Sequence, residues 1–174
     1  MNNFAVIEKL EQFVFDKVTY YSVRFQGKEN NEFYDFLTRM DQDPEVEEDI
    51  GNLLVWIEEI GNKYGAIRER FFRHEAKGGE LSALPPPRSQ MEYHEIIVET
   101  LRLYCLVANE HVVFLFNGGV KTTAKPVDCP NVKKHFLKAN DFARRIDECF
   151  RSGDISWNED HTDIIIDPDL EIEI

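Results

Sequence analysis

The sequence has few cysteines, no long apolar run and no signal at its start. Its three cysteines, Cys105, Cys129 and Cys149, are odd in number and widely spaced, which argues against a disulfide framework or a zinc site. No run of about 18 apolar residues occurs, so we expect no membrane span. Residues 1–4 lack the basic start and apolar stretch of a secretory signal, so we expect a chain in the reducing cytoplasm.

The short motifs of several enzyme classes are also missing. HExxH, CxxC and GxSxG do not occur, and the five histidines lack the spacing of metal ligands. Residues 118–122 (GGVKT) are similar to the end of a phosphate-binding loop, but the first glycine of that motif is absent. We therefore expect no metal and no cofactor.

The composition and the charge distribution limit the number of domains and the classes of binding partner. The 174 residues suffice for one domain, and 43% apolar with 12% aromatic residues excludes a wholly disordered chain. The net charge of −13 by itself argues against a nucleic-acid binder, because phosphates repel acidic surfaces. The charge is uneven, however. Residues 1–60 have 5 basic and 14 acidic groups (−9), residues 61–151 have 15 and 11 (+4), and residues 152–174 have none and 8 (−8).

That distribution supports two interpretations. In the first interpretation, the mildly basic middle is a nucleic-acid surface and the acidic end is a tail. In the second, acidic helices and a solvated tail lie at the two ends of the chain without a role in binding. We expect a single domain over 1–151 and an acidic C-terminal tail over 152–174. Alternation over 170–174 predicts that the tail ends in an edge strand.

The first half of the chain predicts one strand followed by two helices. Val18–Gln26 is rich in β-branched and aromatic residues, which indicates a strand. Apolar residues at helical spacing predict helices over 33–40 and 50–60. Asp43 suits the N-cap of the second helix and Gly65 its C-terminal cap. We interpret the two helices as a hairpin.

The second half predicts two strands and a helix. Leu101–Val107 alternates, and Val112–Phe116 is continuously apolar. Ala108–His111 predicts a tight hairpin between them, in which Asn109 is able to take positive φ, and Asn117–Gly119 predicts a turn. A final helix is expected over 132–150. The predicted fold class is α+β, with an N-terminal helical hairpin and a C-terminal helix packed on an antiparallel curved sheet.

Basic side chains near the predicted strands are the candidate functional residues. Arg102 interrupts an otherwise apolar strand; it either lies on the solvent face and pairs with Glu99, or it binds a ligand. In the second interpretation Arg102, Lys121 and Arg73 line the concave face of the sheet and hold a phosphate, since guanidinium groups bind phosphate bidentately. Such cations also stabilise the charge that grows on phosphorus when a 2′-hydroxyl cleaves RNA. Tyr104, His74 and Lys121 are the candidates for proton transfer.

Several motifs resemble a bacterial branch of the RelE/HigB-type toxin-like family. They follow in the order Gly65-Ala66, Arg68–Arg73, Ala83-Leu84, Leu101–Cys105, Gly118–Lys121, Gly153–Ile155 and the acidic ending Asp169–Glu173. The resemblance covers roughly residues 15–174, and its most specific parts are LRLYC and GGxK.

The resemblance implies a RelE-like fold, an Xre-type helix-turn-helix antitoxin as partner, and cleavage of mRNA on the ribosome. Carried over, Arg102 matches the strand arginine that contacts phosphate, Lys121 matches the basic residue after the next strand, and Arg73 is a weaker match. The usual C-terminal tyrosine or histidine has no counterpart. The expected catalytic residues are Arg102, Lys121 and Tyr104. The expected RNA-binding residues are Arg73, His74, Arg68, Lys133 and Lys134.

Two functions therefore follow as expectations. The first is the toxin component of a type II toxin–antitoxin system that acts as an mRNA endoribonuclease. The alternative is a non-catalytic RelE-like interaction module that binds a helix-turn-helix partner.

Overall fold

A seven-stranded sheet with helices on both faces organises the chain. The computed structural model describes residues 3–75, 80–122 and 129–174. The strands are β1 (Phe4–Val14), β2 (Thr19–Phe25), β3 (Arg73–His74), β4 (Leu81–Leu84), β5 (Leu101–Asn109), β6 (Val112–Val120), β7 (Ile155–Trp157), β8 (Ile164–Ile166) and β9 (Ile172–Glu173). The helices are α1 (Glu32–Asp41), α2 (Glu47–Glu59), α3 (Arg68–Phe71), α4 (Arg88–His94) and α5 (Lys133–Ser152). Within these ranges no helix is long and apolar enough to cross a membrane.

The strand order is β3-β4-β5-β6-β2-β1-β9, and β7 and β8 form a separate hairpin. The large sheet curls into a half-barrel. Its neighbouring strands pair antiparallel except β2 and β6, which are parallel. A parallel pair needs a long crossover, and here the chain between β2 and β6 supplies α1 to α4 and β3 to β5.

The predicted RelE-like architecture is wrong. The chain begins with the β1–β2 hairpin rather than a helical hairpin, and the sheet is mixed rather than antiparallel. β1 was not predicted because Glu8, Lys9 and Glu11 interrupt its apolar alternation. They lie beyond Phe4 and Ala5, the two residues of β1 that pair with the short edge strand β9. The parallel pairing joins segments far apart in sequence, so no local pattern indicates it.

The two helices predicted after the first strand are present as α1 and α2. Asn31 caps α1 by accepting a hydrogen bond from the backbone N–H of Tyr34 at 2.9 Å. Asp43 accepts from the backbone N–H of Glu45 at 3.0 Å, at a short 3₁₀ turn that precedes α2. Both helices bury their apolar stripes in one cluster against one face of the sheet.

The opposite face of the sheet is covered by α5 and the C-terminal segment. The predicted helix over 132–150 is confirmed as α5, and Gly153 follows it at φ +88°. Ile155, Ile164 and Ile172 are buried in the same cluster as α5, and β9 pairs antiparallel with β1. The last 20 residues are thus packed on the α5 face of the sheet.

The β5–β6 hairpin is present with a loop shorter than predicted. Asn109 faces Val112 across a two-residue loop and accepts hydrogen bonds from the backbone N–H groups of His111 and Val112. Asn109 does not use the positive φ that it is able to take, since these side-chain hydrogen bonds close the turn instead. The predicted turn at Asn117–Gly119 is also wrong, because these residues lie inside β6.

Candidate functional site

Alternation along β5 places Arg102 on the α5 face of the sheet. Leu101, Leu103 and Cys105 pack in the cluster under α1 and α2, whereas Tyr104 packs in the cluster under α5. Arg102 therefore shares the α5 face with Tyr104, since side chains two apart on a strand point the same way.

Cross-strand register brings Arg73 to the same face. Arg73 in β3 lies opposite Ala83 in β4, and Ala83 lies opposite Tyr104 in β5. Residues that face each other across antiparallel strands project on the same side of the sheet. Arg73 therefore lies on the α5 face, two strands away from Tyr104.

Lys121 completes a group that we call the cation cluster: Arg73, Arg102 and Lys121. It follows β6 directly, and its backbone N–H donates to the carbonyl of Thr100 at 2.7 Å. Burial lowers the pKa of Lys121, and the charges of Arg102 and Arg73 lower it further. Burial and then Arg102 likewise lower the pKa of Arg73. The three cations thus act on one another electrostatically.

No ion pair neutralises this cluster within the described residues. Arg73 donates to the carbonyls of Pro85 at 2.9 Å and Pro86 at 3.1 Å, and Arg102 donates to the carbonyl of Leu101 at 2.9 Å. Among the residues that the structure describes, the buried Nε atom of Arg102 has no hydrogen-bond partner. Most other arginines pair with carboxylates on the surface. The three half-buried cations therefore remain available to an anion.

Glu75 is a site residue that the sequence reasoning missed. Its carboxylate raises the pKa of Arg102 and of Lys121, partly offsetting burial in both. It lies outside ion-pair distance of the cluster, and its backbone N–H donates to the carbonyl of Leu81 at 3.1 Å. Glu75 stands two residues after Arg73, so strand alternation was the signal that pointed to it.

Tyr104 lies beneath the cluster and is fully buried. Its ring contacts Phe136 of α5 edge to face, with centroids 5.6 Å apart, and its hydroxyl has no partner among the described residues. Burial, and then the charge of Glu75, raise the pKa of Tyr104 well above its ordinary value. The hydroxyl therefore stays protonated at neutral pH and can donate a hydrogen bond but not accept a proton.

Two predicted RNA-binding residues lie on the other face of the sheet. His74 faces Ser82 and then Cys105 across the strands, and its imidazole lies 3.2 Å from the Glu69 carboxylate. Arg68 donates to the hydroxyl of Ser82 at 3.1 Å, which places it on that face as well. The sheet separates both residues from the cation cluster.

The remaining predicted cations lie on α5, and the suggested partner of Arg102 is engaged elsewhere. Lys133 and Lys134 are exposed on the first turn of α5, where the charge of Lys134 acts on the buried His135. Glu99, the alternative partner for Arg102, pairs with Arg88 at 3.2 Å.

A group of polar side chains fixes the end of β6 against α1. We call Asp35, Arg39 and Asn117 the α1 clamp. Arg39 donates to the carbonyl of Gly118 at 2.7 Å and to the Asp35 carboxylate at 3.1 Å, and Asn117 donates to Asp35 at 2.8 Å. Burial alone would raise the pKa of Asp35, but these hydrogen bonds lower it below its ordinary range. The carboxylate therefore stays ionised and keeps the clamp closed at neutral pH.

The clamp holds a β-bulge beside the cluster. Leu103 faces Gly118 while Cys105 faces Leu115, so two residues of β6 lie opposite Tyr104 alone. The strands approach so closely here that a Cβ on Gly118 would lie 1.8 Å from the carbonyl oxygen of Arg102. The bulge thereby sets where Lys121 emerges relative to Arg102.

A cleft of about 480 Å³ opens at the same end of the sheet, between α1 and the end of β6. The part of the chain that the structure describes holds no cluster of His, Cys, Asp or Glu able to bind a metal ion. Comparison of the chain with protein-family models, with curated proteins and with solved structures found no match. The chemistry of the site is therefore argued from its geometry: three unneutralised cations, one carboxylate and a neighbouring cleft.

Proposed function

We propose that this chain is an RNA-binding protein, the toxin component of a type II toxin–antitoxin pair, and that it cleaves mRNA at the cation cluster. The observation that carries the proposal is that an acidic chain leaves three half-buried cations without a carboxylate partner in its described residues. Burying unpaired charge costs stability, and partly buried cations with perturbed pKa values are typical of functional sites, which supports an anion site here. The sequence resemblance adds the toxin assignment and an Xre-type helix-turn-helix antitoxin as partner.

The proposed reaction uses the cluster to stabilise charge. The 2′-hydroxyl loses its proton, its oxygen attacks phosphorus, and the 5′-oxygen leaves with a proton, which yields a 2′,3′-cyclic phosphate and a 5′-hydroxyl. Arg73 and Arg102 bind the non-bridging oxygens, where charge grows in the transition state. Glu75 is the carboxylate available to accept the first proton, and Lys121, with its lowered pKa, supplies the second.

The decisive experiment combines induced expression with analysis of RNA ends. Wild-type expression should arrest growth and produce mRNA fragments, whereas Arg102→Ala and Lys121→Ala should each lose both effects. Arg144→Ala is the matched control, since Arg144 is an exposed arginine on α5 that pairs with Asp141 at 3.3 Å. Growth arrest that persists in both cluster variants would show that the site assignment is wrong.

A second function has one observation in its favour. Tyr104 is buried and stays protonated, and the histidines His74 and His135 do not join the cluster. The cluster then serves as an anion-binding surface of a non-catalytic module that binds a helix-turn-helix partner. Co-expression with the neighbouring gene separates the two: complex formation without any cleavage by the free protein favours the module.

A further inference from the structure

Part of the outer edge of β1 is not covered by another strand. β1 runs from Phe4 to Val14, and β9 pairs only with Phe4 and Ala5. The opposite edge of β1 pairs with β2. Beyond Ala5, the part of the chain that the structure describes supplies no strand to the outer edge. An unpaired edge presents backbone N–H and C=O groups on which another strand can pair.

Strand alternation identifies the backbone groups that this edge presents. On the side of β9, the N–H of Ile174 donates to the carbonyl of Asn3 at 2.9 Å. Alternate residues of an antiparallel strand point their peptide groups to the same edge, so those of Ile7 and Lys9 point outward like that of Asn3. The pairing of β1 with β2 is regular as far as Lys9, so this alternation holds up to that residue.

A groove of about 260 Å³ opens beside these outward-pointing groups. Its lining is largely aliphatic and includes Ile7 of β1, Ile164 and Ile166 of β8, and Leu170. These four side chains belong to the cluster under α5, so the groove lies on the α5 face of the sheet. Recognition by strand addition combines backbone pairing at an edge with pockets for alternate side chains, and β1 offers both.

The charge around the groove is negative. Asp167 lines it, and Asp163 pairs with Lys9 at 3.3 Å. Burial raises the pKa of Tyr21, which also lines the groove, and Asp163 and then Glu11 raise it further. The carboxylates of Glu11, Asp163 and Asp167 thus outnumber the ammonium group of Lys9. A segment that binds here gains attraction when it carries positive charge.

The same charge disfavours a second copy of this chain as the occupant. A second copy would bring a net charge of −13 and the same acidic groups to the edge. Like charges that face each other across two paired strands are destabilising. A basic segment of another protein fits the edge better on both counts.

We propose that the outer edge of β1 accepts an extended basic segment of a partner protein as an added strand, with apolar side chains of that segment in the groove. The proposal goes beyond the proposed function and does not depend on RNA cleavage. β6 and β2 lie between β5 and β1 in the sheet, so this surface is separate from the cation cluster.

The test titrates the full chain with a short, end-blocked peptide of alternating lysine and valine and follows the backbone amide signals of Ile7 and Lys9. The peptide should shift both signals, and its affinity should fall as salt is added. A peptide with glutamate in place of lysine should not bind. A lysine–valine peptide that is N-methylated at two adjacent central residues keeps its charge but loses a donor on each edge, so it should bind about tenfold more weakly.

Two substitutions at Lys9 separate backbone pairing from charge. Lys9→Ala and Lys9→Pro both remove the ammonium group, and Lys9→Pro also removes the outward N–H. That N–H makes no ladder bond with β2, so the strand accommodates proline there. Lys9→Pro should bind the lysine–valine peptide about fivefold more weakly than Lys9→Ala. The N-methylated peptide tests the same bond on the wild-type chain, without a variant that could unfold.

A second pair of substitutions tests the charge. Asp167→Asn should weaken binding of the lysine–valine peptide about threefold at low salt. Asp147→Asn is the matched control, since Asp147 is a carboxylate of α5 that pairs with Arg151 at 2.9 Å and does not line the groove. Equal losses in the two variants would contradict the charge preference.

The remaining outcomes decide between strand addition and the other occupants. Equal affinity for the plain and the N-methylated peptide would show attraction by charge alone and overturn strand addition. Signals of Ile7 and Lys9 that shift with protein concentration, without any response to peptide, would assign the edge to a second copy. Shifts at both residues that N-methylation and Lys9→Pro reduce would support the proposal.

Discussion

Among the glycines that the structure describes, Gly118 is the one where an added methyl group should destabilise the protein most. A Cβ there would lie 1.8 Å from the carbonyl oxygen and 2.8 Å from the carbonyl carbon of Arg102, and 3.0 Å from Cα of Leu103. A carbon atom normally rests about 3.3 Å or more from a carbonyl oxygen, so the two strands must separate by about 1.5 Å. The obstacle is backbone rather than a flexible side chain, so local rearrangement cannot relieve it.

The expected cost follows from that displacement. Overpacking in a core costs about 1–3 kcal/mol, and parting the strands also weakens ladder hydrogen bonds worth about 1 kcal/mol each. Gly118→Ala should therefore lower the free energy of unfolding by about 3 kcal/mol or more. With a urea m-value of about 1–3 kcal/mol/M, the midpoint should fall by at least about 1 M.

The same substitution at Gly51 is the matched control. Gly51 lies in α2 with nothing within 4 Å of an added Cβ, so Gly51→Ala should stabilise the protein by about 0.5–1 kcal/mol. Gly119→Ala, whose Cβ would lie 2.9 Å from the carbonyl oxygen of Asn131, should fall between the two. A urea midpoint for Gly118→Ala equal to that of the wild type would refute the close approach of β5 and β6.

Three further predictions concern charge. Lys121→Ala should reduce the slope of log affinity against log salt for single-stranded RNA by about 0.7, because one phosphate contact is lost; an unchanged slope would mean that Lys121 contacts no phosphate. Burial, then the charges of Arg39 and Lys134, lower the pKa of His135 to about 4, below its unfolded value near 6.5. The unfolded chain therefore binds the extra proton, so stability should fall by about 3 kcal/mol as the pH drops from 7 to 4, and urea titrations of His135→Gln should lack this part of the loss. Asp49 is buried and accepts two hydrogen bonds from Thr100, at 2.8 and 2.9 Å, so Asp49→Ala should cost about 3 kcal/mol in urea unfolding; a cost under about 1 kcal/mol would show that these bonds contribute little.

Local periodicity was sufficient to predict α1, α2, α5 and the β5–β6 hairpin, but not the short helices α3 and α4. Apolar residues at helical spacing indicated α1 and α2, and alternation along Leu101–Val107 indicated both β5 and the two faces it presents. The same alternation assigns Arg102 and Tyr104 to one face of the strand. These features are encoded within a few neighbouring residues, so a single sequence carries them.

Features that depend on distant residues were not predictable in this way. The α1 clamp joins Asp35 to Asn117, which are 82 positions apart in the chain, and no local sequence pattern predicts that contact. The bulge in β6 was not predictable either. Asn117–Gly119 has the composition of a turn but lies inside β6, next to this bulge. The faces of Arg73 and His74 depend on the register of β3 against β4, and a shift by one residue would exchange them.

A net charge of −13 and the proposed anion site are compatible because charge acts locally. Fields between exposed charges decay over about 8 Å at physiological salt, so the acidic ends of the chain influence the cluster only where they lie close to it. Among the described carboxylates, Glu75 is the acidic group that acts on all three cations of the cluster. The acidic surface as a whole repels nucleic acid, so RNA gains attraction only where its phosphate reaches cations, such as the cluster or the exposed Lys133 and Lys134. If the cluster is the RNA site proposed above, this acidic protein should bind RNA weakly and mainly at the cluster.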